Sequence, residues 1–189
     1  MKELEHYITS YFGVNQPDEL NKISSLFKQT TLRKGDFFLK EGKQCDQFCF
    51  VRTGILRVYT TPDDKEITQW ITTKGYFGTD FSSFYFETPS RWNIQVLLDA
   101  ELYTISKKDY QKIGEIVPNW NALEKAFIIK CFEVMEDRVF SFLSMSAEER
   151  YHYFFENNRE LFNQVPLQYI ASMLGMAPET FSRIRKKKK

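Results

Sequence analysis

Side chains suited to face a core recur at three- and four-residue intervals near the start of the chain: Leu4, Tyr7, Ile8 and Tyr11, then Leu20, Ile23, Ser24 and Phe27 after Pro17. That spacing predicts a short helical lead-in. From about residue 31 the pattern changes to short strand-like runs at 31–32, 36–40, 48–52, 55–60, 66–71, 94–98 and 101–106, with Gly35, Gly42, Gly54, Gly75 and Gly78 at the breaks. Short strands at roughly ten-residue spacing predict an antiparallel barrel or roll.

Helical spacing resumes at residues 107–116. After Pro118 it continues from Asn119 to about Ser144 with no Gly or Pro, carrying Leu123, Phe127, Ile128, Cys131, Val134, Met135, Phe142 and Leu143 among charged residues. At ~1.5 Å per residue this helix is about 40 Å long. It has more apolar surface than one small roll covers, which predicts a helix-to-helix dimer seam; packing on its own roll is the alternative. Ser146-Ala147-Glu148-Glu149 reads as a capping box, so a new helix starts at Ala147 and runs to about Asn157. The break between Ser144 and Ala147 is the predicted domain boundary.

Composition narrows the function classes. At 42% hydrophobic and 16% aromatic, with 18 Phe in 189 residues, the chain is too apolar for a disordered protein and fits one core plus a small second unit. No apolar run approaches the ~20 residues needed to span a bilayer, and residues 1–12 lack the apolar core of a secretory signal, so no membrane partner and a cytoplasmic location are expected. Cys45, Cys49 and Cys131 cannot all pair and match no zinc or iron–sulfur spacing. His6 and His152 have no neighbouring nucleophile or paired-carboxylate motif, so the chain reads as a non-enzyme without metal or cofactor. The formal net charge of +1 is uninformative as a whole, but from Leu167 onward six basic residues face one acid, Glu179, giving +5 against −4 for residues 1–166.

The basic end coincides with the most specific motif. Ile170, Ala171, Leu174, Gly175, Met176, Phe181 and Ile184 fall where a helix-turn-helix needs them: small Ala171 at the helix approach, Gly175 at the turn, the others in a shared core. Pro178 suits the first turn of the second helix, where its missing N–H costs nothing. Glu179, Thr180, Ser182, Arg183, Lys186 and Lys187 are then outward. Arg183 is suited to a bidentate pair with guanine, Glu179 to the cytosine amino group, and Thr180 and Ser182 to phosphates. Arg185 and the run Lys186 to Lys189 supply sequence-independent, salt-sensitive attraction to double-stranded DNA. A helical hairpin with a solvated basic tail, and no DNA, is the alternative.

Through Leu32-Arg33-Lys34-Gly35, Glu41-Gly42, residues 48–59 with Gly54, the long helix and the terminal motif, residues 25 to 186 resemble the Crp/Fnr group of bacterial transcriptional regulators. The resemblance implies an α+β fold: a jelly-roll-type antiparallel beta roll of cyclic-nucleotide-binding kind with flanking helices (1–117), a long dimerisation helix (118–145) and a small helix-turn-helix domain (146–189). It also implies DNA binding as a homodimer, a small effector in the roll, and RNA polymerase as a candidate further partner. Family members follow the recognition helix with a beta hairpin, the wing, so this sequence reads as a short form; Pro178 also stands where the cAMP receptor carries a base-reading arginine.

In cAMP-responsive members a Gly-Glu step holds the ribose and an Arg-Ser/Thr-Ala segment grips the phosphate. The corresponding residues here are Gly78, Thr79 and Asp80, then Ser90, Arg91 and Trp92 after Pro89, with Met135 and Glu136 on the long helix where those receptors meet adenine. Thr79 replaces the ribose glutamate, Arg91 is displaced by one, Trp92 crowds the alanine position, and Glu136 sets a carboxylate near the ligand. The effector, if there is one, is therefore not expected to be cAMP, and a structural platform with an aromatic filling is the other reading. Iron–sulfur relatives use an N-terminal cysteine cluster and haem-binding ones axial ligands that His6 and His152 do not supply; Cys131 leaves a thiol switch open. The rival function is a small-molecule-sensing or protein-interaction module with a vestigial helix-turn-helix.

Overall fold

In the computed structural model, which describes residues 1–187, two helices, α1 (Lys2–Phe12) and α2 (Pro17–Ser25), lead into six strands. Lys188 and Lys189, the end of the predicted basic run, lie outside the described residues. The strands are β1 (Lys28–Leu32), β2 (Phe37–Leu39), β3 (Gln47–Thr60), β4 (Ile67–Thr72), β5 (Phe77–Gly78) and β6 (Asn93–Ser106). They pair antiparallel in the order β1-β6-β3-β4, with β2 added to β6 and β5 to β3. This is the expected α+β antiparallel roll. No helix among the described residues is long and apolar enough to cross a membrane.

Gly54 and residues 99–100 were expected to interrupt strands, yet β3 and β6 each run unbroken for 14 residues. The glycine bends β3 instead of ending it. Pairing with β6 shifts between Val51 and Thr53 and again between Ile55 and Leu56, and Gly54 between them has φ 93°. Such a bulge adds a residue and local twist without stopping the ladder. A Cβ on Gly54 would stand 2.6 Å from Ala100 Cα, so the backbones approach where neither residue carries a large side chain. Gly54→Ala is expected to lower stability by about 2–4 kcal/mol, combining left-handed strain with overpacking, as urea unfolding would measure.

Helix α3 (Phe81–Phe86) spans the β5–β6 connection. The predicted helix over 107–116 forms as α4 (Lys107–Gln111), with Ser106 Oγ accepting from Asp109 N, and α5 (Ile113–Ile116). Helix α6 (Trp120–Ser144) is the long one, and buries fully only Trp120 and Phe127. Phe127 enters the roll among aromatic rings, 4.4 Å from Phe12 and 6.2–6.4 Å from Phe48, Phe77 and Phe81 between centroids. Edge-to-face and tilted rings at such separations add to the area they bury, so this cluster anchors α6 on the roll.

Four helices complete the chain: α7 (Ala147–Asn157), α8 (Leu161–Gln164), α9 (Leu167–Met173) and α10 (Pro178–Lys186). The capping box forms as expected: Glu149 N donates to Ser146 Oγ (3.3 Å) and Ser146 N to Glu149 Oε2 (2.8 Å). The α7–α10 helices have their own apolar core, which also takes in Ile55, Ile71 and Leu97 of the roll. The sequence break at 144–147 is therefore crossed by packing.

Candidate functional site

Two places collect the residues singled out above. The first is the α9–α10 pair. Gly175, at φ 68°, turns the chain between them, and its N–H donates to Ser172 O (3.0 Å) while Met176 N donates to Ala171 O (2.9 Å). A Cβ at Gly175 would stand 2.6 Å from Cε1 of Phe142 on α6. Ile170, Ala171, Leu174, Met176, Phe181 and Ile184 are all buried, and Phe181 packs against Tyr151 of α7 at 5.1 Å. With Phe181 and Ile184 inward, Glu179, Ser182, Arg183, Arg185, Lys186 and Lys187 are exposed and Thr180 is half-buried.

Glu179, Ser182, Arg183 and Lys186 stand at i, i+3, i+4 and i+7, so they share one face of α10. With Pro178 and Lys187 they line a shallow concave surface. Lys187 is committed in part elsewhere, its Nζ lying 3.2 Å from Glu148 Oε2 of α7. Arg183, Arg185 and Lys186 sit in the last turn of α10, where the helix dipole favours cations.

The second place is the end of the roll around α3. Asp80 is buried and caps α3 by accepting from Ser83 N (3.3 Å), while its other carboxylate oxygen accepts from Ser90 Oγ (2.6 Å). Trp92 N donates to Ser90 Oγ (2.9 Å), Thr79 Oγ1 donates to Gln47 O (3.0 Å), and Gly78 pairs with Cys49 in the β5–β3 ladder. Gly78, Thr79, Asp80, Ser90 and Trp92 are thus brought together, bonded to each other or to neighbouring backbone. Arg91 is exposed, its guanidinium 5.0 Å from the Trp92 ring. Met135 and Glu136 are exposed on α6, where Met135 belongs to an apolar stripe with Ile128, Phe132 and Val139.

Two of the three cysteines, Cys49 and Cys131, are poor reactive groups. Burial pushes the Cys49 thiol up to about 12 and raises that of half-buried Cys131, so neither is a ready thiolate.

Sequence reasoning missed a third cluster, where β4 meets α9. Arg57 on β3 is fully buried between two rings, 4.2 Å from Tyr59 and 3.6 Å from Tyr169 of α9. An arginine inside the apolar run Leu56-Arg57-Val58 was the signal available for it.

Residues 29–115 match the family model described as "Cyclic nucleotide-binding domain". The roll is similar to domains of that type over this span. Search of the curated proteins by sequence found no match. Among solved structures the chain is similar to FixK2 from Bradyrhizobium japonicum, at 18% identity and TM-score 0.72 over 85% of this chain and 83% of that one. It is also similar to CLP of Xanthomonas campestris, described as a c-di-GMP responsive global regulator, at 14% identity and TM-score 0.66 over 91% of both chains. Both are Crp/Fnr-type regulators. With "cAMP bound PfPKA-R (141-441)" the likeness spans 59% of this chain and 40% of that one, at 16% identity and TM-score 0.54. At these identities the likeness is one of fold.

Proposed function

We propose that the protein is a DNA-binding transcriptional regulator of Crp/Fnr type, cytoplasmic and without enzymatic activity. The observation that carries this reading is the sidedness of α10, which buries Phe181 and Ile184 while leaving Glu179, Ser182, Arg183 and Lys186 on one open face. In this reading the protein divides into the roll (1–117), the long helix (118–145) and the helix-turn-helix unit (146–189). Two copies join along the stripe of α6, and their α10 helices enter successive major grooves about 34 Å apart. Double-stranded DNA is the partner, with RNA polymerase a candidate second one.

The roll in this reading is a packed platform and not a cyclic nucleotide receptor. The Asp80 carboxylate already takes the Ser83 amide and the Ser90 hydroxyl, so an arriving phosphate would meet a negative charge and donors in use. The rings of Phe48, Phe77, Phe81 and Phe127 fill the interior behind it. Millimolar cyclic AMP or cyclic GMP is expected to leave the melting temperature unchanged, and a concentration-dependent rise would overturn this part of the reading.

DNA binding is tested by a gel shift against a genomic fragment library at rising salt. Retarded fragments that release steeply as salt increases are expected. If nothing binds at low salt while metabolites stabilise the protein against heat, the ligand-sensing module with a vestigial helix-turn-helix is the better description.

A further inference from the structure

Along β4 the outer edge of the sheet is covered by α9, where Thr68 N donates to Ser172 Oγ (2.9 Å). Past the end of β4 a cleft of about 760 Å³ opens between the roll and the connection from α7 to α8. That volume falls within the ~300–1,000 Å³ typical of small-molecule sites. The cleft shares no residue with the open face of α10 or with the Asp80 end of the roll.

Its floor is apolar. Ile55 and Leu161 are buried there, and Tyr7 and Leu98 are half-buried. Its two walls are polar and differ in chemistry. On the roll side, with Thr53 and Thr73, Lys74 presents an ammonium whose Nζ lies 2.9 Å from Glu3 Oε1. An ammonium carries three donors, so two remain for a ligand. The α7–α8 wall is rich in acceptors. Among the described residues the carboxylates of Glu156 and Glu160 make no ion pair or hydrogen bond, whereas the other glutamates of α7 are committed, Glu148 to Lys187 and Glu149 to the capping box. Asn157 Nδ2 donates to Tyr153 O (2.8 Å) and Asn158 Nδ2 to Phe154 O (3.1 Å), which leaves both side-chain carbonyls as acceptors. Arg159 supplies a cation to the same wall and makes no ion pair among the described residues.

A simple anion in this cleft would face the carboxylates of Glu156 and Glu160, and a simple cation would face Lys74 and Arg159. A ligand that carries both charges and an apolar body matches the walls and the floor together. We propose that the cleft binds a free α-amino acid with a large apolar side chain. Lys74 and Arg159 hold its carboxylate, and Glu156 and Glu160 its ammonium, through charge-assisted hydrogen bonds. Its side chain lies against Ile55, Leu98, Leu161 and Tyr7 and leaves water there.

The test is an NMR titration of the full chain with L-leucine and L-phenylalanine, followed at the Gly54 and Leu161 amides, one on each side of the cleft. Saturable shifts at both amides are expected at millimolar ligand or below. Glycine, which lacks the apolar side chain, should bind at least about tenfold more weakly than leucine. So should 4-methylpentanoate and 3-methylbutylamine, which keep the leucine side chain with only one of its charges. Lys74→Gln loses an exposed ion pair of little worth to stability, so its melting temperature should stay near that of the wild type. This variant should weaken leucine binding about tenfold and leave 3-methylbutylamine binding unchanged. The double variant Glu156→Gln/Glu160→Gln should weaken leucine to a similar extent without weakening 4-methylpentanoate. The proposal is overturned if neither amino acid gives saturable shifts, if glycine or the singly charged analogues bind as tightly as leucine, or if leucine binds both variants with wild-type affinity. Binding here does not depend on DNA, so a protein that retards no fragment in the gel shift would lose the function proposed above and keep this site.

Discussion

Phe132→Glu is expected to abolish the homodimer proposed above and leave a monomer. Phe132 is 62% exposed at the middle of α6, on a stripe with Ile128, Met135 and Val139 at spacings of four, three and four residues. That alternation is the a/d pattern of a two-helix seam. Val139 and Leu143 continue the exposed surface at 56% and 82%, whereas Trp120 and Phe127 on the roll-facing side are buried. In the proposed dimer two-fold symmetry places two copies of residue 132 in the seam, so the substitution would remove two buried rings, about 4–6 kcal/mol at ~2–3 kcal/mol each, and set two carboxylates in their place. The dimer dissociation constant should rise on the order of a thousandfold or more. Sedimentation velocity across a concentration series measures it. A variant that still sediments as a dimer, with unchanged affinity, would place the seam elsewhere.

The helices and the packed core of the α9–α10 pair were legible because their signals are local. Ser146 and Glu149 cap each other across three residues, and Ile170, Ala171, Phe181 and Ile184 lie within one short stretch that folds on itself. β3 was read as two strands because a glycine in an alternating run looks the same whether it ends a strand or bulges it. What decides is Ala100 on the partner strand, and pairing across 46 residues leaves no periodicity near Gly54. The docking of α9 on β4 was less legible still. Thr68 and Ser172 are 104 residues apart, and neither residue type marks a contact. Asp80 and Ser90 illustrate the middle case. Their place at the roll's end was readable by resemblance, but not that the carboxylate and hydroxyl bind one another.

Arg183→Ala is the second large effect, and its signature is loss of sequence preference more than loss of charge. Arg183 is exposed at the centre of the open face of α10, one turn beyond Glu179. A guanidinium reading guanine contributes about 1–3 kcal/mol per half-site, so a dimer on a two-fold operator should lose about 2–6 kcal/mol. Lys186 offers the control on the same face. As a phosphate contact it should, when changed to Ala, weaken binding to all sequences alike and reduce the slope of log affinity against log salt by about 0.9 per protomer. Fluorescence anisotropy with an operator duplex and a scrambled duplex, each at several salt concentrations, separates the two patterns. Arg183→Ala should close the gap between the duplexes, whereas Lys186→Ala should preserve the gap and flatten both salt curves. An Arg183→Ala protein that still discriminates operator from scrambled DNA at the wild-type ratio would remove α10 as the reader of sequence.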